Sequence, residues 1–491
     1  MKPLCSLCLL LCAALLTGCS AASPALPALT LPPLSPGPEA PIGDAGLQQE
    51  IIAPLYLPSL DGQSLLTFYE TLTVSRAQHP AEAILRALLT HPGNSRVKPL
   101  SSTVTLMLAG SHPVEISGGV CTVNLSASAL ALSAQELYTA ALAISATLCE
   151  TEDVQYVTLL VAGTPVAMDV TDNLPLGLLS AWPGQELPVL WEQMSSRRTP
   201  VGELPFNTPM TATAALYFPL ADGSGIAAEP RRLSFPGQHP QQQVVTLLTA
   251  LSAGADLLEG ADDMPDLNAM LLFVPEVTSL DNGGRRATLH FTSDVFSRIT
   301  AADCDPVAVF GAITTTLTTF VPSLQQVCIL VGDGALTSLY SDRLGSLLFP
   351  GALQTREDFA HLLMGQSAVY VPGEHGLMRK QLSLPYRDAA NPRSLLLSLE
   401  SLPEGLTDAD VLGLSVENGT LLVNLSARYG EVIRQSDLDQ RLMAYSMVNT
   451  LCERLNVRRA RFFFGGEAVD SLGSALCWSG EFLYHSGLIV P

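Results

Sequence analysis

ALYFPLADGSGIAAEPRRL, at residues 215–233, sets the reading of the whole chain. Leu216, Tyr217 and Phe218 make an apolar strand stopped by Pro219, residues 222–225 are a Gly-rich turn, and a second extended run leads to Leu233. Proline cannot donate to a strand ladder and glycine supplies the positive φ of a tight turn, so strand, turn and extended run is the expected order. Two relatives stand elsewhere. PLYLPSLDGQSL at 54–65 has Tyr56 and Pro58 in the places of Tyr217 and Pro219, and AVYVPGEHGLM at 368–378 has Tyr370 and Pro372. The chain therefore reads as a threefold repeat with a period of roughly 155 residues, which suits one ordinary domain per copy.

The same punctuation returns after each stretch at nearly the same distance. His79 and Pro80, His239 and Pro240, and Asn391 and Pro392 each open an apolar helical run, over 81–89, 244–251 and 394–402. Proline at a first helical position lacks an amide hydrogen that would be unpaired there anyway, so both histidines are expected as helix-start residues. A hairpin comes next, turning at Gly118 and Gly119, at 281–284, and at Asn418 and Gly419. Its second strand reads Val-Asn-Leu-Ser at 123–126, Leu-His-Phe-Thr at 289–292 and Val-Asn-Leu-Ser at 423–426. A second helix begins at Ser133 with Glu136, at Asp305 before Pro306, and at Ser436 with Asp439. Late in it Thr-Leu recurs, at Thr147 and Leu148, Thr316 and Leu317, and Thr450 and Leu451. An apolar strand closes each copy, near 157–161, 327–331 and 461–464. The fold class expected is α+β: three tandem βαββαβ domains, each with two helices on one face of a small sheet.

This order resembles the GerMN domain of bacterial spore-germination and sporulation lipoproteins of the GerM type. The likeness is closest in the middle copy, where LYFPLADGSG, RRLSFPG, TLTTFVPSLQQV and ILVGDG follow the family pattern. In the outer copies the family's Gly-Pro after the first helix is replaced by His91, Pro92 and Gly93 and by Pro403, Glu404 and Gly405. Members carry two such domains, so a third copy departs from the family. The resemblance implies a fold similar to ring-building motifs of envelope channels, and an interaction module rather than an enzyme.

Residues 1–19 read as an export signal: Lys2, a short apolar run over 4–16, then Leu16, Thr17 and Gly18 before Cys19. The run is too short to span a bilayer comfortably. Leu16, Thr17 and Gly18 resemble a lipobox, which makes Cys19 the expected lipid attachment site and puts the protein on the extracytoplasmic face of the membrane. Residues 20–50, rich in Pro, Ala and Leu, are expected as a tether. The remaining boundaries are 51–167, 211–336 and 368–470 for the three copies, 168–210 and 337–367 for linkers, and 471–491 for a tail. Aromatic segments at 178–182, 347–349 and 476–478 are expected to pack back on their own copies, or else to contact neighbours. Residues 306–332 carry no charge, but Pro322, Gln325, Gln326 and many threonines fit a helix plus a strand better than a membrane span.

With 47% hydrophobic and 14% charged residues the chain is globular, and a net charge of −21 argues against nucleic acid and against an electrostatic grip on anionic lipid. Chemistry is not gathered anywhere. No GxSxG elbow, HExxH pair or GxxxxGK[ST] loop occurs; Gly110, Ser111 and His112 read as a loop, and the Asp222 turn lacks the alternating acids of a calcium loop. Neither a cofactor nor a metal is expected. Beyond Cys19 stand six cysteines, at 121, 149, 304, 328, 452 and 477. Their scatter favours buried thiols, and Cys121 with Cys149 is the pair to test.

The functional expectation is a lipid-anchored scaffold that binds envelope proteins, in the setting the resemblance implies: sporulation or germination, with a channel or ring complex as partner. The alternative is an envelope lipoprotein that binds a small ligand, such as a peptidoglycan fragment, between copies.

Overall fold

A computed structural model describes residues 38–106, 113–167, 173–195, 208–400, 402–403 and 405–490. Each Tyr-X-Pro stretch is the first strand of a long antiparallel hairpin, or arm. The arms are Gln48–Pro58 with Leu65–Ser75, Met210–Pro219 with Ile226–Phe235, and Met364–Pro372 with Leu377–Pro385. At the tips of the first two arms Asp61 and Asp222 accept the N–H two residues on, from Gln63 at 3.1 Å and Ser224 at 2.8 Å. Side-chain acceptance of that kind holds a tight turn.

The first helices are Ala81–Thr90, Pro240–Ser252 and Pro392–Leu397, the last a shorter element than expected and preceded by a single turn, Tyr386–Ala389. Their starts work as the sequence suggests. His79 Nδ1 accepts the Ala81 N–H at 3.2 Å, His239 Nδ1 that of Gln241 at 3.3 Å, and Asn391 Oδ1 that of Arg393 at 3.0 Å.

The sheet hairpins are Val114–Ser117 with Val120–Leu125, Glu276–Ser279 with Arg285–Phe291, and Val411–Glu417 with Thr420–Leu425. Their second strands run parallel to Tyr156–Val161, Leu324–Val331 and Arg459–Phe464. Parallel neighbours require a crossover, and the long helices Ala134–Leu148, Pro306–Phe320 and Gln440–Leu455 supply it. The architecture is α+β. Each unit opens on a pair of strands instead of one, and the arm is separate from the sheet, two-stranded in the first two copies and joined in the third by Ile489–Val490, which runs parallel to Leu377–Pro385.

Ser133 and Glu136 form the anticipated capping box, and Asp305 caps the middle helix through Val307. In the third copy Asp439, not Ser436, is the cap, with its carboxylate on the Arg441 N–H at 2.8 Å; Ser436 instead ends an extra helix, Ala427–Gln435. Extra turns at Ala127–Ala131 and Val295–Ala301 hold the same place in the other copies. The residues 306–332 divide into helix and strand, and no helix among the described residues is long and apolar enough to cross a membrane.

Residues 40–491 form one unit, in which the first two copies share a continuous apolar core and the third has its own. Linker residue Leu179 exchanges two 2.8 Å backbone bonds with Val157 of the first copy, while Leu178 donates to Thr213 O of the second at 2.8 Å. Phe349 packs on Phe359, and Trp478 on Phe462 and Phe464 of the third copy.

The tether expected over 20–50 ends sooner than that. Residues 41–47 lie along Val411–Glu417 of the third copy as a strap. Gly43 N–H donates to Leu412 O at 2.8 Å, Asp44 forms two 2.8 Å bonds with Arg393, and Leu47 is buried in the third copy's core. Composition hid this: a Pro- and Ala-rich stretch shows no period, yet an added strand needs only its backbone.

Candidate functional site

The repeated tyrosines and threonines meet. Each long helix is fixed to its arm by a threonine hydroxyl that accepts the backbone N–H of the arm tyrosine: Thr147 from Tyr56 at 3.0 Å, Thr316 from Tyr217 at 2.9 Å, Thr450 from Tyr370 at 2.9 Å. Three residues further on stand Glu150, just past the helix end, and Thr319 and Glu453 within theirs. Tyr56 donates its phenol to Glu150 at 2.8 Å, and Tyr370 donates to Glu453, which also holds Arg379 at 2.9 Å. Burial, then the neighbouring carboxylate, pushes both phenols above their ordinary pKa.

The middle copy has a threonine where the others have glutamate, and a charge of the opposite sign takes the carboxylate's place. Arg356, in the second linker, donates to Thr319, lies 5.5 Å over the Tyr217 ring, and pairs at 2.6 Å with Glu115 of the first copy. Both charged side chains are almost buried, 10% and 13% exposed. A buried pair of this kind survives only with good geometry and further hydrogen bonds, and Thr319 gives one.

Close by, the turn of the first sheet hairpin sits where all three copies touch. Ser117, 6% exposed, donates to Met364 O of the third copy at 2.9 Å and accepts the Ala228 N–H of the second at 3.1 Å. Next to it Gly118 has φ +53°, and a Cβ there would lie 1.7 Å from Ala228 O. The equivalent turn residue of the third copy, Asn418, has φ +50°. The turn alone therefore accepts asparagine; glycine at 118 answers to the neighbour. Arg76 of the first copy also donates to Leu455 O of the third at 2.8 Å.

Beside this junction a cleft of about 1140 Å³ opens between the first and third copies, lined by His79, Arg86, Asp153, Arg379, Tyr386 and Arg454 among others. Arg454 donates to Ala390 O at 2.9 Å; burial lowers its pKa, with Asp153 and Glu152 opposing. His79 is 3.7 Å from Asp153, whose carboxyl it holds below the usual range. Tyr386 is pushed up to about 12 by burial. The lining can hold charged groups of either sign between guanidinium and carboxylate.

None of these contacts was legible as a site. The available signal was Gly118, a glycine beyond the need of its turn.

Leu16, Thr17, Gly18 and Cys19 lie outside the described residues, as do Gly110, Ser111 and His112. The six later cysteines are thiols, with Cys121, Cys304 and Cys452 buried and Cys477 exposed. Burial pushes Cys304 and Cys452 up to about 12 and Cys149 up to about 11, which removes the thiolate that reactivity requires. Among the described residues no group of three or more His, Cys, Asp or Glu is placed to hold a metal ion.

Residues 54–167 and 369–470 match the Germane family, described as sporulation and spore germination. The middle copy lies outside both matches, against the expectation that its likeness is strongest. No curated protein matches the chain. Among solved structures, it is similar to the tandem GerMN domains of the sporulation protein GerM from Bacillus subtilis, at 17% identity and TM-score 0.23 over 62% of this chain and 99% of that one. The first GerMN domain of the same protein matches at 15% identity and TM-score 0.19, over 28% and 97%.

Proposed function

We propose, from the premise that the chain is a GerM-like protein with Germane domains at 54–167 and 369–470, that it is a lipid-anchored scaffold of the cell envelope acting in sporulation or germination. The observation that carries this reading is the joining of three copies at Ser117 and Gly118, which fixes them as one composite surface. Counting the middle copy as a third domain of the same kind is part of the proposal, supported by its own Tyr217 to Thr316 bond. Lipid on Cys19 raises the local concentration of this surface at the membrane, and its partners are envelope proteins, a sporulation ring or channel among them. The work is binding, not turnover.

The test is deletion of the gene in its native host and a count of heat-resistant spores, complemented with wild type and with Cys19→Ala. Loss of spores that wild type restores and the unlipidated form restores poorly is the expected result. Normal spore numbers after deletion, or a host that forms none, sinks the sporulation role.

One observation favours a second reading. The cleft beside Arg454 is large enough for a small glycan or peptide fragment of the wall, slightly above the usual size of ligand pockets. A shift in the melting temperature on adding peptidoglycan fragments, abolished by Arg454→Ala, supports that reading; no shift removes it.

A further inference from the structure

The three sheets end on equivalent edge strands, Val114–Ser117, Glu276–Ser279 and Val411–Glu417. An edge strand offers a row of unpaired N–H and C=O groups, which folded proteins cover or blunt. Two of these edges are covered by this chain itself. The first lies at the junction, where Ser117 is bonded to Met364 and Ala228. The third carries the strap: Leu414 N–H donates to Gly43 O at 3.2 Å and to Asp44 at 3.1 Å, in a parallel bridge between Gly43 and Gly413.

The second edge has no strand on its outer side among the described residues, and Glu276, Thr278 and Ser279 are exposed. The segment leading into it exposes three apolar residues in a row, Leu272 at 47%, Phe273 at 65% and Val274 at 65%. Both the strapped and the open edge are held at their start in the same way. Arg393 Nη1 donates to Val411 O at 2.7 Å, and Gln241 Nε2 donates to Pro275 O at 2.8 Å, each from the first turn of the first helix. The open edge is thus presented as the strapped one is.

We infer that Glu276–Ser279, with Leu272, Phe273 and Val274, is the docking site for an extended segment of a partner envelope protein, added as the strap is added at the third edge. The strap supplies the template for that segment: a backbone run parallel to the edge, one carboxylate, and an aliphatic side chain. Main-chain bonds give such an addition its affinity, and side-chain seats its selectivity. Phe273 and Val274 receive the aliphatic residue. Arg286 stands opposite Thr278 in the register, with its Nε on the neutral Gln326 amide at 3.4 Å, and receives the carboxylate. A second copy of this chain is the poorer occupant, since it brings a like net charge of −21. The inference rests on the scaffold reading and names the surface that reading needs.

The experiment places a photo-reactive residue in the full-length protein in its native host, Thr278→p-benzoylphenylalanine, with the exposed Tyr340→p-benzoylphenylalanine as control. Expected is one adduct with another envelope protein, mapped by mass spectrometry to an extended segment with Asp or Glu near an aliphatic residue. Phe273→Ser with Val274→Ser, both at exposed positions that leave the core intact, lowers the adduct by about tenfold, a loss of roughly one good apolar contact. No adduct above the control, an adduct only with a second copy, or one indifferent to the paired serines overturns the inference. The spore count separates the two claims. If deletion costs spores and the paired-serine protein restores them fully with no change in the adduct, the docking site fails while the scaffold stands. If deletion costs nothing, the scaffold itself fails.

Discussion

Tyr217 and Thr316, 99 positions apart in sequence, are joined by a 2.9 Å bond from the tyrosine N–H to the threonine hydroxyl, and Tyr217 is 2% exposed. The same bond ties Tyr56 to Thr147 and Tyr370 to Thr450. Tyr217 faces Ala228 in a pair whose two amides both point out of the ribbon, so the buried Tyr217 N–H must be satisfied from outside it, and the long helix provides the oxygen.

Thr316→Val keeps the shape of the side chain and removes the acceptor. It is expected to cost about 1–3 kcal/mol, the desolvation penalty of a buried unpaired amide, read as a lower urea midpoint with unchanged slope. Thr147→Val, against the half-buried Tyr56, costs less.

Gly118→Asn retains good turn chemistry, as Asn418 demonstrates in the third copy, but drives a side chain into Ala228 O. Overpacking of this order costs about 1–3 kcal/mol in thermal unfolding. Asn418→Gly, with the same turn and open space around the neighbouring Gly419, stays within about 0.5 kcal/mol of wild type. Equal effects of the two would refute the junction.

Arg356→Met strands Glu115 in a nearly dry site and is expected to destabilise by about 3–5 kcal/mol. Adding Glu115→Leu to it recovers most of the loss, because an apolar pair no longer carries an uncompensated charge. A double-mutant cycle by urea unfolding measures the coupling.

Glu229, 2% exposed, has a folded-state pKa below its ordinary value. Burial pushes it up, but the N–H groups of Leu257 and Leu258 and the Arg231 guanidinium outweigh that. The backbone N–H of Asp256 donates to the same carboxylate at 2.9 Å. A depressed carboxyl pKa stabilises fully above the unfolded value of about 4.3, and the gain is lost as pH falls through the folded value. Urea midpoints of wild type and Glu229→Gln therefore differ most at pH 7 and converge as the pH drops below about 4.

Alkylation without reductant is expected to label Cys477 first, since it is exposed, and to reach Cys121 and Cys452 only on unfolding. All six should react in denaturant. A count of four would reveal one disulfide, and peptide mapping would test whether it joins Cys121 to Cys149.

How much of this the sequence displays depends on the range of the contact. The arms are legible because Tyr217, Pro219 and the turn at Asp222 act within a dozen residues, and the helix starts because His79 and His239 bond two residues on. The recurrent Thr-Leu is visible as a pattern and opaque as a cause until Thr316 is seen beside Tyr217. Helix Ala427–Gln435 had its signal in Ser426 as cap and Tyr429 and Ile433 on one face, buried one turn apart. Arg356 with Glu115, and Ser117 with Met364, join residues 241 and 247 positions apart and leave no local mark. Gly118 is the exception, a long-range contact recorded as a single missing side chain.

The strap has a consequence in time. Its seat on Val411–Glu417 lies some 370 residues downstream of Asp44, so in a chain that emerges from its N-terminal end the strap is present long before its seat. The first and second copies can close their shared core during that wait, whereas Leu47 has nowhere to go until Tyr429 and its neighbours have been made. The opening segment of the polypeptide is the last to be placed, and its arrival marks a finished chain.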